Sequence, residues 1–412
     1  MAKIKPFKAW RPAAKYASKT AALPYDVFNR SEARTEALKE PLSFLNIDRP
    51  ETQFPENADM YSAQVYEKAA SMLKEQMHQG VYIQDDKPCY YIYELTMDGR
   101  SQTGLVACAS VDDYMNNVIK KHENTRAEKE EDRIRHVDIC SAQTGPIFLA
   151  YHAQKQVDEI IEEVKKSTPV YDFISEDGIG HRCWVIDHED QIEYITAQFD
   201  HMASLYIADG HHRAASAVKV GLRRRKKYPE YYGNEEFNSF LSVIFPDNQL
   251  KILPYYRVVR DLNHHTVESF FNEISTYFDI SDQTAPVAPE KPYVFGCYLE
   301  EKWYRLELKP AYIPDDPVDK LDVSVLQNLV LAPVLGIKDP KTDHRIDFVG
   351  GIRGVGELER RCKTDMKIAF STYATTIGQL FDVADAGRLM PPKSTWFEPK
   401  LRSGLFIHQI EV

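Results

Sequence analysis

Short apolar runs and periodic helical segments alternate along the whole chain. Apolar side chains repeat on one face across Asp59–Gly80, which predicts an amphipathic helix that stops at the glycine. Cys89–Leu95 and Leu105–Val111 are apolar runs on either side of Asp98-Gly99, the pattern of a β-hairpin. A further helix is predicted from Val111 to His122.

The rest of the chain continues this alternation. Apolar runs predict further strands at Gly145–Tyr151, Pro169–Ile174, Cys183–Ile186, Leu205–Ala208, Phe240–Phe245, Tyr293–Leu299 and Trp303–Leu308. Periodic segments predict further helices at Ile192–Met202, Val267–Phe278, Val323–Leu335 and Ile377–Asp385. Hairpins mixed with crossover helices indicate an α/β fold of the mixed α+β type, with mixed sheets and flanking helices.

Length and charge narrow the class of protein. A chain of 412 residues predicts two lobes, and we place an N-terminal lobe at residues 1–235 and a C-terminal α/β lobe at 236–412. The net charge of −11 disfavours a nucleic-acid partner, and no apolar run is long enough to cross a membrane. Six scattered cysteines, together with a start that lacks a signal-peptide core, indicate a reducing cytoplasm. The oligomeric state is left open.

The most informative stretch reads YIADGHHRAASA, from Tyr206 to Ala217. A buried strand breaks at Asp209-Gly210 and a helix of small residues starts at once. Such a junction offers backbone N–H groups and a positive helix end, which suits an anion such as phosphate. His211, His212 and Arg213 add polar side chains, and Gly210 lets a ligand approach the backbone. Asp209 offers a general base or a metal ligand.

A charged stretch from Lys120 to His136 carries a second set of candidates. Most such runs are solvated helix faces. Here His122, Glu123 and Thr125 crowd into four residues, so Glu123 could act as a base or a magnesium ligand. His122 and Arg133 could neutralise phosphate oxygens. We predict that this stretch and the Asp209 turn form one site.

Four strings together resemble a known family of bacterial and archaeal proteins labelled as a domain of unknown function and often described as ParB-like or SpoOJ-like. They are ADGHHRAASA, HENT with the later DR, KAWRP with LPYDV, and MPPKSTWFEPKLRSGL. The resemblance extends from Lys5 to Leu405. The Asp-Gly-His-His-Arg core is also similar to the motif of free L-serine kinases (SerK) and, more loosely, of the ParB/sulfiredoxin superfamily, in which the following helix holds nucleotide phosphates.

The resemblance implies a ParB/sulfiredoxin-like nucleotide-binding core in which Asp209 and the histidines work at the phosphoryl group. Residues 1–235 would then form a phosphate-binding lobe, and residues 236–412 a lobe that closes over the site. Serine kinases also use a carboxylate base from an N-terminal segment, and Asp26 and Glu123 are both candidates. The C-terminal string MPPKSTWFEPK is rigid and polar, so it could close over an anionic ligand. We place substrate contacts at Arg11, Asp26, Lys393, Ser394 and Thr395.

These features favour a phosphotransferase that acts on the hydroxyl of a small amino acid, free L-serine to O-phosphoserine or the reverse. The chemistry would use Mg²⁺ and a phosphoryl donor such as ATP, ADP or pyrophosphate. Two alternatives remain open. One is a ParB-like nucleotide-binding regulator without catalysis, and the other is a metal-dependent phosphohydrolase, although no spaced histidine pair indicates a metal site.

Overall fold

The computed structural model describes residues 1–125 and 127–411 and divides the chain into two units. The first unit comprises Met1–Leu250 with Pro399–Val412, and the second comprises Lys251–Glu398. The predicted boundary at residue 235 is therefore wrong in two respects. The strand that starts at Ser239 completes the first sheet, and the last residues of the chain return to the first unit.

The strands, labelled in chain order, fall into one large sheet, one sheet of intermediate size and several short pairs. They are β1 (Ile4–Lys5), β2 (Trp10–Pro12), β3 (Tyr82–Gln84), β4 (Tyr90–Met97), β5 (Arg100–Ser110), β6 (Ile119–Lys120), β7 (Ala142–Gln143), β8 (Ile147–Tyr151), β9 (Tyr171–Ile174), β10 (Gly180–Ile186), β11 (Leu205–Asp209), β12 (Ser239–Pro246), β13 (Ile252–Leu253), β14 (Tyr255–Val259), β15 (Phe278–Gln283), β16 (Val294–Leu299), β17 (Lys302–Leu308), β18 (Ile346–Gly350), β19 (Ile368–Thr372), β20 (Trp396–Phe397) and β21 (His408–Gln409).

The α-helices are mostly short, and several are a single turn. They are α1 (Ala17–Thr20), α2 (Arg30–Ala37), α3 (Leu45–Asp48), α4 (Ala63–His78), α5 (Val111–Met115), α6 (Ala127–Cys140), α7 (Lys155–Val164), α8 (Glu189–Asp200), α9 (His211–Lys227), α10 (Val267–Ile274), α11 (Asp322–Leu326), α12 (Gly356–Thr364) and α13 (Ile377–Asp385). Within the described residues, no helix has both the length and the apolar character that crossing a bilayer requires.

The sheet of the first unit has the strand order β6-β11-β8-β12-β5-β4-β10-β9, and β1 pairs with β5. β12 runs parallel to β8 and β11 runs parallel to β6, whereas the other pairs are antiparallel. The sheet is therefore mixed, as the hairpins and crossover helices predicted. Its apolar face packs under the helices around fully buried side chains such as Leu105, Leu149 and Ile207.

The second unit has its own sheet, ordered β15-β17-β16-β19-β14-β18, with every pair antiparallel. Phe295, Leu326 and Phe370 belong to its separate apolar core. The helix predicted over Val323–Leu335 is wrong in extent. Its α-helical part ends at Leu326, and a π-helical turn, Gln327–Leu331, follows.

One misplaced helix matters for the site. The helix predicted over Val111–His122 ends at Met115, and Asn117 adopts a left-handed conformation with φ of 58°. The chain then forms β6, in which Ile119 lies opposite Leu205 of β11. This short parallel pairing brings the residues after β6 alongside the end of β11.

We expect Gly221→Ala to destabilise the protein although alanine normally favours a helix. Gly221 lies in α9, where an added Cβ would come within 2.5 Å of the carbonyl oxygen of Phe237. Moving that backbone should cost about 1–3 kcal/mol. Gly356→Ala is the control, because in the described part of the chain its Cβ position in α12 has no atom within 4 Å beyond its chain neighbours and its own helix backbone. Urea unfolding measures both variants, and an unchanged or raised stability for Gly221→Ala would contradict the prediction.

Candidate functional site

The junction predicted from the sequence is present. β11 ends at Asp209, Gly210 turns the chain with φ of 90°, and α9 begins at His211. Glycine is required here because that φ disfavours other residues and because a Cβ would come within 3.1 Å of the Arg213 guanidinium. Gly210 is the N-cap residue and has no side chain to satisfy the first-turn N–H groups. The helix start therefore suits an anion.

The carboxylate of Asp209 is held from two sides. The backbone N–H of Gly210 donates to Oδ1 at 2.8 Å, and Lys400 Nζ donates to Oδ2 at 3.0 Å. Burial alone raises the pKa of Asp209, but the charges of Lys400 and Arg213 and the two hydrogen bonds outweigh burial and hold that pKa well below its usual range. About a third of the side chain, 33%, is still exposed. Asp209 is thus an ionised group in reach of a ligand.

Lys400 is a residue that the sequence did not single out as a contact of Asp209. It lies in the string MPPKSTWFEPK, which was expected to close over an anion. That string contains two lysines, and residue type alone gives no reason to choose between them. The structure places Lys400 in the first unit beside the turn and Lys393 in the second unit.

His122 and His211 form a buried pair beside this turn. Their rings meet edge to face with centroids 4.4 Å apart, and each side chain is less than a tenth exposed. Burial lowers the pKa of His122 to about 4, and burial followed by the neighbouring His122 lowers the pKa of His211 well below its usual value. Both rings are therefore neutral at pH 7. They can act as hydrogen-bonding groups, not as the charges that we expected of His122.

The tautomer of His211 follows from its neighbours. The backbone N–H of His122 points at Nε2 of His211 at 3.5 Å, so Nδ1 carries the proton. Nδ1 lies 4.0 Å from Glu123 Oε2, and the Glu123 side chain is 53% exposed. Glu123 and Asp209 therefore both lie near the start of α9. Nδ1 of His122 is buried without a hydrogen-bond partner among the described residues.

Thr125 joins the site indirectly, through a glutamate that the sequence analysis missed. Its hydroxyl donates to Glu130 of α6, whose other oxygen accepts from Lys219 of α9. Burial alone raises the pKa of Glu130, but the hydrogen bonds from Lys219 and Thr125 hold that pKa below its usual range. The charge of His212 acts in the same direction. Glu130 thus connects Thr125 to α9. The sequence carries no signal for this role, because Glu130 stands in a run of similar charged residues.

The two arginines are less available than the sequence suggested. Arg213 Nη1 donates to the carbonyl of Pro146 at 2.5 Å, while its Nε is buried without a hydrogen-bond partner among the described residues. Arg133 is 7% exposed, and its guanidinium pairs with Asp132 at 2.9 Å. Arg133 also stacks on Tyr25, with 4.1 Å to the ring centroid. Its charge is compensated before any ligand binds, although Arg133 and Arg213 line one small cavity.

The proposed substrate contacts are divided between the two units. Arg11 forms an ion pair with Asp85 at 2.7 Å, so its charge is compensated. This disfavours the substrate contact that we expected of Arg11. Asp26 lies on a separate cavity with Arg133. Lys393, Ser394 and Thr395 belong to the second unit, where the buried Ser394 donates to the Pro391 carbonyl at 2.7 Å.

Metal ligands are sparse in the described part of the chain. No group of three or more His, Cys, Asp or Glu side chains there is arranged to hold a metal ion. A magnesium ion that travels with a nucleotide takes most of its ligands from phosphates and water, with one or two carboxylates from the protein. Asp209 and Glu123 fit that smaller requirement.

The family model described as a protein of unknown function, DUF1015, matches residues 4–324. No curated protein matches the sequence. A solved free serine kinase in complex with AMP is 13% identical, with 75% of this chain and 91% of that chain covered and a TM-score of 0.36. SbnI with a C-terminal truncation, from Staphylococcus aureus, is 11% identical, with 72% and 85% covered and a TM-score of 0.39.

A conserved hypothetical protein from Pyrococcus furiosus is 14% identical, with 74% of this chain and 94% of that chain covered and a TM-score of 0.33. Similarities at this level of identity and TM-score do not assign an activity. The function proposed below therefore depends on the residues of the site itself.

We expect acid to destabilise the protein through His122. Its pKa is about 4 in the fold and ordinarily about 6.5 when exposed, so between these values the unfolded chain binds the proton and the fold does not. The free energy of unfolding is therefore unaffected by this group above pH 6.5 and is lower by about 3 kcal/mol at pH 4. His122→Gln lacks this loss, so its stability relative to wild type should improve as the pH falls. A difference that stays constant in urea titrations from pH 7 to 4 would contradict the prediction.

Proposed function

The chain belongs to the DUF1015 family of proteins of unknown function, and we propose that it is a phosphotransferase. In this proposal a phosphoryl group passes from a donor such as ATP, ADP or pyrophosphate to the hydroxyl of a small amino acid, with free L-serine as the first candidate. The acceptor is suggested by the similarity of the Asp-Gly-His-His-Arg motif to that of free serine kinases.

The observation that carries the proposal is the turn at Gly210. It combines an uncapped helix start with the Lys400 ammonium, which lies 3.0 Å from Asp209. Phosphoryl transfer depends mainly on positioning and on neutralising charge over the phosphoryl oxygens. The N–H groups at the start of α9 would supply both, and the ion pair with Lys400 neutralises the Asp209 carboxylate, which would otherwise repel the phosphoryl oxygens. The neutral rings of His122 and His211 can add hydrogen bonds there.

The two carboxylates of the site suit different tasks. The acceptor hydroxyl must lose its proton as its oxygen attacks phosphorus and the nucleotide or phosphate leaves. Asp209 holds its proton weakly because Lys400 and Arg213 stabilise its charge, so Asp209 is a poor base. Glu123 Oε2 lies 4.0 Å from Nδ1 of His211, and the Glu123 side chain is half-exposed. We therefore assign Glu123 as the group that accepts the proton of the acceptor hydroxyl. Asp209 then positions Lys400.

A magnesium ion is compatible with the proposal if it binds together with the phosphoryl donor. When bound with the donor, the ion would neutralise phosphate charge and orient the phosphoryl group. Asp209 or Glu123 would supply the protein ligand. The reverse reaction, from O-phosphoserine to serine, uses the same groups.

Asp209→Asn should lower turnover by about 10²–10³-fold, because the amide keeps the shape of the side chain but cannot hold the Lys400 ammonium in place. The assay follows O-phosphoserine by ³¹P NMR with L-serine, Mg²⁺ and each donor in turn. Asp200→Asn, an exposed change at the end of α8, is the matched control and should keep wild-type turnover. If no donor yields product with wild-type protein, the proposed activity is wrong. Near-normal turnover by Asp209→Asn would leave Asp209 as a structural group only.

The pH dependence of kcat in Glu123→Gln should show which of the two carboxylates, Glu123 or Asp209, accepts the proton. If Glu123 accepts the proton, wild-type kcat falls toward low pH as that carboxylate becomes protonated, and the variant is slow by about 10²-fold or more with that fall abolished. Thr125→Ser, which keeps the hydroxyl that donates to Glu130, is the control for disturbance of the loop. If the Glu123→Gln enzyme still loses activity toward low pH, Glu123 is not the proton acceptor and Asp209 becomes the candidate base.

A further inference from the structure

A second cavity lies in the first unit, apart from the Gly210 turn. It has a volume of about 180 Å³, and its wall includes the rings of Tyr25, Phe28, Tyr61 and Tyr66. A single water needs only about 10–15 Å³ in this measure, so the cavity can hold a small organic molecule. Both polar and aromatic groups face it.

Most of the charges around this cavity cancel in pairs. Arg49 Nε donates to Glu51 at 2.5 Å, and both side chains are buried. Arg133 pairs with Asp132 at 2.9 Å in the same way. Neither arginine therefore offers an uncompensated charge to a carboxylate or a phosphate.

Asp26 is the remaining charged residue of the wall. It is exposed, and no hydrogen bond or ion pair engages its carboxylate within residues 1–125 and 127–411. The net charge of the cavity is thus negative. Aromatic side chains also line the cavity, and aromatic rings attract cations, as the guanidinium of Arg133 over the Tyr25 ring already illustrates.

The hydroxyl groups of the wall do not change the sign of this charge. Burial raises the pKa of Tyr25 to about 12, so its hydroxyl stays neutral. The hydroxyl of Tyr66 donates to Asp132 Oδ1 at 2.9 Å. A bound cation would therefore meet one open carboxylate, neutral hydroxyls and aromatic side chains.

We propose that this cavity binds the ammonium group of a small amine or amino acid, with Asp26 as its counter-ion. Tyr25 and Arg133 also line the small cavity that Arg213 borders, so the two cavities share a wall. That the ammonium group belongs to the acceptor of phosphoryl transfer rests on the proposed function. The preference for an ammonium over a carboxylate rests on the cavity alone.

Calorimetric titration tests the proposal with three probes that share a hydroxyl. Ethanolamine has only the ammonium group, 3-hydroxypropionate has only the carboxylate, and L-serine has both. We expect ethanolamine and L-serine to bind the wild-type protein and 3-hydroxypropionate to show no binding. Asp26→Asn should weaken ethanolamine at least tenfold, whereas Asp26→Glu, which keeps the charge, should retain most of the affinity. Asp86→Asn is the control, because Asp86 is exposed and lies outside the cavity.

Three results would overturn the proposal. They are wild-type protein that binds neither ammonium probe, 3-hydroxypropionate that binds as tightly as ethanolamine, and Asp26→Asn that binds ethanolamine like Asp86→Asn. Failure of the proposed function gives a different result, since ethanolamine would then bind in an Asp26-dependent manner while no donor yields a phosphorylated product.

Discussion

The candidate site depends on one ion pair, between Asp209 at the end of β11 and Lys400 in the segment that returns to the first unit. The pair gives the Gly210 turn a fixed cation beside an uncapped helix start. It also keeps Asp209 ionised against the effect of burial. The two buried histidines beside the turn are neutral, so an anion would meet the helix start and the nearby Arg213, beside an ion pair whose charges cancel. Without the ion pair, the turn would present a partly buried carboxylate that repels phosphate.

Local signals in the sequence predicted the local structure well. The hairpin at Asp98-Gly99 and the turn at Gly210 were found because a glycine with a positive φ marks each of them. The helix expected over Val111–His122 failed because its second half pairs with β11, more than eighty residues further on. A pairing of two residues leaves no periodic pattern in the sequence. The division into units failed for the same reason, since the return of Pro399–Val412 to the first unit is a long-range contact.

The site itself was predictable in residue type but not in pairing. Asp209, His122 and Glu123 gather at the start of α9, as their chemistry suggested. Arg133 and Arg11 have equally suitable chemistry, yet their neighbours Asp132 and Asp85 compensate their charges. Which of several similar residues keeps an open charge is decided by packing across the chain. That information is spread over distant segments, and composition and spacing do not contain it.

The second unit is an insertion, because the first unit begins before it and is finished after it. A ribosome therefore makes all of Lys251–Glu398 before the segment that carries Lys400 emerges. Until then Asp209 has no lysine partner, and Arg224 of α9 lacks the Ile410 carbonyl that it binds at 2.8 Å in the finished fold. Nascent or prematurely ended chains would thus carry an incomplete anion site. The order of synthesis would thus confine the proposed chemistry to chains that extend beyond Lys400.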